Sequence, residues 1–276
     1  MVRRMFRPIT LITLLALAAF PALAETQAEV LTADLMAGWR TGVGTHMAAL
    51  HLALAPEWKT YWRRPGEAGI PPEFDWTGSQ NVGAVRFYWP RPEVFTVNGM
   101  QSIGYHHELV LPIEITALDP NRPIHLRVQV ALGVCRDICM PASLDLAADL
   151  PAPASDGAAS PDPVIRSALR AQPDSAKAAG LRTISCQVDP IADGLRLTAT
   201  LQLPSTGGNE TVVLEPGQEA IWVSDAQTDR AGGQLVASAD LVADTGAAAF
   251  ALDRSAVTVT VLGRDRAVEI TGCPAP

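Results

Sequence analysis

The chain has 276 residues, of which 21 are Lys or Arg and 29 are Asp or Glu, giving a formal net charge of −8, and 48 % are hydrophobic. An acidic chain repels phosphate backbones and anionic headgroups, which argues against nucleic acid or an anionic lipid surface as partner. The length exceeds what one β-sandwich core usually holds, so two domains are expected, and the apolar fraction can furnish a core for each.

Residues 1–24 place Arg3, Arg4 and Arg7 before an apolar run over 9–20 and close on Ala22-Leu23-Ala24. That is the pattern of a secretory signal peptide cut after Ala24, and the run is shorter than the ~20 apolar residues a spanning helix needs. Its removal takes three Arg and no acid, moving the net charge from −8 to −11. No later stretch approaches spanning length, so the expectation is a mature periplasmic protein with no stable membrane insertion. In that oxidising compartment cysteines tend to be paired or redox-active.

Residues 25–150 read as a first domain. Over 45–54 the residues Ala48, Leu50, Leu52 and Leu54 alternate with Met47, Ala49, His51 and Ala53, the period of two expected of a half-buried strand. The pattern returns at Val85, Phe87 and Trp89, at Leu109, Leu111, Ile113 and Ile115, at Ile124, Leu126, Val128, Val130 and Leu132, and at Leu144 and Leu146. Turn-rich pieces such as Arg64-Pro65-Gly66 and Ile70-Pro71-Pro72 separate these runs. Short strands with Gly and Pro turns predict an all-β sandwich. Residues 151–175 read as a linker holding one short helix over 162–171, with Val164, Ile165, Ala168 and Leu169 at helical spacing and Pro163 in the first turn. From 176 to 276 alternation resumes at Leu195, Leu197, Ala199, Leu201 and Leu203 and again at Val257, Val259 and Val261, predicting a second, sandwich-like β domain.

Four cysteines allow three connectivities, and spacing separates them. Cys186 near the start of the second domain and Cys273 at its end would close a loop of roughly 88 residues, for which chain entropy gives about 4.6 kcal/mol, the profile of a structural disulfide. Cys135 and Cys139 lie in a hairpin-like connection, where the same reasoning gives only about 2 kcal/mol. A tight, exposed bond of this kind suits exchange better than stapling, since exchange needs an accessible sulfur with thiolate character. Two rivals stand beside that reading. Cys135, Cys139 and Met140 form a soft ligand set suited to Cu(I), which would make the chain a copper-binding or copper-tolerance protein. The pair is otherwise an ordinary disulfide in a non-catalytic interaction module.

The segment Val134-Cys135-Arg136-Asp137-Ile138-Cys139-Met140-Pro141, with Tyr61-Trp62-Arg63-Arg64-Pro65-Gly66 and Gly104-Tyr105 leading into Leu109-Val110-Leu111-Pro112, resembles the N-terminal periplasmic domain of the disulfide reductase DsbD and its ScsB-like relatives. The resemblance covers roughly residues 35–150. It implies an immunoglobulin-like sandwich acting as a component of a protein-disulfide reductase, with Cys139 attacking and Cys135 resolving. It also implies a cap loop, whose candidate aromatic is Phe95 in Arg91-Pro92-Glu93-Val94-Phe95-Thr96. The implied partners are a membrane electron carrier or a thioredoxin-like reductant upstream and oxidised periplasmic proteins downstream, with no cofactor. The founding members space their cysteines more widely, and their cap aromatic precedes another aromatic and a glycine where Thr96 stands here.

His106 and His107 are adjacent and so point to opposite faces of a regular strand, which disfavours joint metal ligation. Trp58, Tyr61, Trp62, Trp76 and Trp89 read as core or rim aromatics. The sequence shows no Gly-rich phosphate loop, no nucleophile elbow and no paired-His zinc helix.

Overall fold

A computed structural model describes residues 26–42, 44–97, 99–153, 160–218, 220–244 and 250–276. The signal peptide read at 1–24, and residues 154–159 of the linker, lie outside the described residues. The first half begins with the turn-length helix α1 (Gln27–Val30), then β1 (Leu31–Gly42), β2 (Thr45–Leu54), β3 (Lys59–Tyr61), β4 (Glu73–Asp75), β5 (Val82–Phe87), β6 (Glu93–Val97), β7 (Met100–His106), β8 (Glu108–Ala117), β9 (Ile124–Cys135) and β10 (Cys139–Leu150). Two antiparallel sheets result, β1-β2-β8-β5 and β10-β9-β3-β7-β6, with β4 also paired to β9.

Strand alternation builds the core between these sheets. The even-numbered side chains of β9, Ile124 through Val134, are at most 3 % exposed. They share one cluster with Leu50, Leu52, Leu111, Ile113 and Ile115 of the facing sheet. Each such side chain contributes about 1.5–3 kcal/mol on burial, which is why the sheets stack.

The other face of β2 is covered as well. Helix α2 (Pro163–Arg170) starts at Asp162, whose carboxylate accepts from the amides of Val164 at 2.8 Å and Ile165 at 3.1 Å. It packs Ile165 against Trp39, Met47 and Ala49. The strand expected to be half-buried is therefore buried on both faces over Met47–Ala49, because the helix folds back onto the sheet.

The second half contains β11 (Asp174–Ser175), β12 (Thr183–Ile191), β13 (Gly194–Gln202), β14 (Thr211–Glu215), β15 (Ile221–Val223), β16 (Gln227–Ala231), β17 (Gln234–Ala243), β18 (Thr258–Leu262) and β19 (Ala267–Thr271). Sheet β11-β19-β18-β14 faces sheet β12-β13-β17-β15, to which β16 adds through β17. Leu197, Ala199, Leu201, Leu235 and Leu241 meet Val257, Val259, Val261 and Val268 in a second core. Cys186 on β12 is bonded to Cys273, just past β19, across a sequence separation of 87. Among the described residues the fold is all-β apart from two short helices, and neither is long and apolar enough to cross a membrane.

Two histidines of the first sheet make stability depend on pH in opposite directions. His46 is 2 % exposed, and burial holds its pKa below the ordinary value despite the 2.6 Å contact of its Nε2 with the Ala37 carbonyl. The unfolded chain then takes up a proton near pH 6.5 that the folded state refuses, so stability falls as pH drops below about 6.5. His51 lies 3.0 Å from Asp34 and 2.9 Å from Glu108. Burial opposes its protonation, but the two carboxylates outweigh it and raise the pKa. Its contribution is complete below about pH 6.5 and is lost as pH rises through the folded-state value. Denaturant midpoints measured from pH 5 to 8 should therefore decline on both sides. His46→Gln is expected to flatten the acid limb and His51→Gln the alkaline limb.

Candidate functional site

The β9–β10 hairpin pairs residue against residue from Ile124 and Leu150 up to Cys135 and Cys139, leaving Arg136, Asp137 and Ile138 as its turn. The two cysteines are bonded, with Cα atoms 4.1 Å apart. Because even-numbered residues of β9 fill the core, odd-numbered Cys135 points to the outer face of its sheet. The sulfurs differ in environment: Cys135 is 1 % exposed, whereas Cys139 lies open at the end of the edge strand.

Neighbouring strands bring a row of side chains to the same outer face. Lys59 stands opposite both Cys135 and His106, and Tyr61, two residues on, stands opposite Gly104. The loop after β3 folds over this face. A Cβ on Gly69 would lie 2.8 Å from the Tyr61 ring, and one on Gly133 would lie 3.2 Å from the ring and 2.8 Å from Ile70. Two residues without side chains thus leave the slot that the Tyr61 ring occupies. From it the Tyr61 hydroxyl reaches Cys135 Sγ at 2.8 Å, Cys139 Sγ at 3.3 Å and the Ala68 carbonyl at 3.4 Å.

Burial raises the Tyr61 phenol above its ordinary pKa, so it stays protonated at neutral pH and can donate. Burial likewise lowers Lys59, which is 8 % exposed and holds Nζ 5.2 Å from the centre of the Phe95 ring. A hydroxyl donor beside a reduced cysteine favours its thiolate. At the turn, Arg136 pairs with Asp137 at 3.1 Å and stacks over Trp58 at 5.3 Å.

The aromatic group on the sulfurs is Tyr61, which composition and alternation had placed among the core and rim aromatics. Tyr61 faces Gly104 across β3–β7, a relation that sheet register sets and that alternation along a three-residue strand does not reveal. Phe95, on β6, is 9 % exposed and faces Ser102 on β7, with its ring edge-on to His106 at 4.3 Å. It occupies the same outer face, one layer beyond Lys59. His106 pairs with Glu93 at 3.2 Å, while His107 adopts a left-handed backbone at the β7–β8 turn, φ 63°. Met140 pairs with Val134, an inward residue, and packs against the core. The soft ligand set read from the sequence is thereby split, since adjacent residues of a strand face opposite ways and the Met140 thioether lies on the far side from Cys139.

If the Tyr61 hydroxyl stabilises a thiolate, Tyr61→Phe should raise the pKa of the more acidic thiol in the reduced protein. One hydrogen bond to a charged group contributes about 1.5–3 kcal/mol, which corresponds to a rise of roughly one to two pH units. Thiolate absorbance at 240 nm followed through a pH titration would measure it, and an unchanged midpoint would remove Tyr61 from the chemistry.

Residues 27–151 match the family described as thiol:disulfide interchange protein DsbD, N-terminal. The crystal structure of the N-terminal periplasmic domain of ScsB from Proteus mirabilis aligns with a TM-score of 0.62 and 27 % identity, covering 89 % of this chain and 92 % of that one. The N-terminal domain of Neisseria meningitidis DsbD in its reduced form aligns with a TM-score of 0.27 and 14 % identity over 50 % of this chain and 95 % of that one. No curated protein matches the chain. The match to the DsbD N-terminal family thus covers the segment 27–151, the part of the chain that carries the first sandwich and the cysteine hairpin.

Proposed function

We propose that the chain is an exported thiol-disulfide exchange protein that passes reducing equivalents through Cys135 and Cys139 to oxidised proteins of the periplasm. The observation that carries this reading is the asymmetry of the pair, with Cys139 open to a partner and Cys135 buried beneath the Tyr61 hydroxyl. In the reduced protein the Cys139 thiolate attacks one sulfur of a target disulfide and releases the other as a thiolate. The Cys135 thiolate then attacks Cys139 Sγ, expels the remaining target thiol and re-forms the Cys135–Cys139 bond. The target gains two electrons and the pair loses two. A thioredoxin-like dithiol or a membrane electron carrier restores it.

On this reading Phe95, held by Lys59 and His106, belongs to a cap over the outer face, and Cys186–Cys273 is structural. Residues 25–150 form the redox domain, 151–175 a linker with its helix, and 176–276 a second β domain closed by that disulfide. A leader cut near Ala24 delivers the protein to the periplasm, and the similarity to a periplasmic ScsB domain supports that address.

The test is the reduction potential of Cys135–Cys139, set by equilibration with glutathione or dithiothreitol buffers and read by thiol alkylation. A value in the range of exchange proteins, and reduction by a thioredoxin-like dithiol, are expected. A potential below about −300 mV would instead mark an inert bond and a non-catalytic module.

A further inference from the structure

The segments that carry Tyr61 and Phe95 are gripped from the other half of the chain. Arg63, two residues beyond Tyr61, donates from Nε to Glu215 at 2.9 Å and from Nη2 to Glu215 at 2.8 Å and Glu269 at 2.6 Å. Glu215 ends β14 and Glu269 lies in β19, 152 and 206 residues away along the chain. The guanidinium also stacks on Trp62 at 4.3 Å, and Trp62 is fully buried. Burial alone would weaken the Arg63 cation, but the hydrogen bonds and charges of the two glutamates raise its pKa above the ordinary value. The fork therefore stays charged and doubly held.

A second grip lies at the entry to β6. Arg91 donates to the carbonyls of Asp265 at 2.8 Å, Gly263 at 3.1 Å and Arg264 at 2.5 Å, and its own amide donates to the Ala171 carbonyl at 2.8 Å. Gln101, opposite Thr96 in the β6–β7 hairpin, reaches Thr211 at 3.1 Å. Leu262 and Ala267 of the second half fall in the same buried cluster as Trp62, Trp89 and Ile103. The junction is packed as well as ion-paired.

We infer that the second half is a brace for the redox site. By holding Arg63 through Glu215 and Glu269, and Arg91 through the 263–265 carbonyls, it keeps the Tyr61 hydroxyl on the two sulfurs and the cap hairpin in place beside them. Arg63, Glu215 and Glu269 are on this account positioning residues, since they touch neither sulfur. The inference rests on the exchange reading above and adds the task of the second half.

The experiment uses the whole chain and the rate at which dithiothreitol reduces Cys135–Cys139. The variant Glu215→Gln/Glu269→Gln removes both countercharges while keeping the side-chain shapes. With the Tyr61 donor loosened, the Cys135 thiolate leaves less readily when dithiothreitol attacks the open Cys139, and reduction is expected to slow by roughly threefold or more, a modest coupling for contacting residues. Asp240→Asn, which breaks the exposed Arg196–Asp240 pair within the second half, should leave the rate unchanged. In a Tyr61→Phe background the glutamate changes should add little, because their effect runs through the Tyr61 contact. A merely structural role would lower the melting temperature without this dependence on Tyr61. The single variant Glu269→Gln, which retains the two bonds to Glu215, gives a milder reading if the double variant folds poorly. A wild-type bond that resists dithiothreitol overturns the exchange reading itself. A reactive wild type with folded glutamate variants reacting at the same rate overturns the brace alone.

Discussion

Replacing Cys139 by Ser should abolish disulfide reduction, and replacing Cys135 by Ser should leave the protein covalently attached to its targets. The two outcomes differ because exchange runs in two displacements. Without Cys139 there is no exposed sulfur to begin the first, since Cys135 is 1 % exposed. Without Cys135 the first displacement still occurs, but nothing remains next to Cys139 Sγ to carry out the second. The check is a non-reducing gel of periplasmic extract incubated with each reduced variant. High-mass adducts that appear with Cys135→Ser, dissolve in dithiothreitol and are absent with Cys139→Ser are the expected result. Adducts formed equally by both variants would mean that either sulfur can attack, and the burial argument would fail.

Removing the other disulfide should cost far more stability than removing the bond between Cys135 and Cys139. Cys186→Ala/Cys273→Ala opens a loop whose closure is worth about 4.6 kcal/mol in the chain-entropy account, against about 2 kcal/mol for the short loop between Cys135 and Cys139. Domains are commonly stable by about 5–15 kcal/mol, so the larger loss could exhaust much of the margin. Both residues are buried, at 0 % and 1 % exposure. Their backbones are tied into the same corner, with the Cys186 amide on the Pro274 carbonyl at 2.6 Å and the Cys273 amide on the Arg254 carbonyl at 2.8 Å. Denaturant unfolding of the wild type, this variant and Cys135→Ala/Cys139→Ala under oxidising conditions would separate the two bonds. Equal losses in the two variants would show that loop length does not govern their energetics.

Much of this was legible residue by residue. Alternation along β2, β8, β9 and β13 marked the strands that later share the two cores. Pro163 and the helical spacing of Val164, Ile165, Ala168 and Leu169 marked α2, whose cap is Asp162. Short strands such as β3, three residues long, carry no periodic signal, and the site lies on that strand.

The sequence by itself determined the cysteine pair, the strand that presents it and the all-β class, because each depends on spacing within a few neighbouring residues. Only the tertiary structure decided that Tyr61 lies on the sulfurs, that Met140 faces away from them and that Arg63 is held by Glu215 and Glu269. Those relations join strands through sheet register and through contacts made up to 206 residues apart. No local pattern encodes a register between distant strands, since it is set by how both cores pack at once.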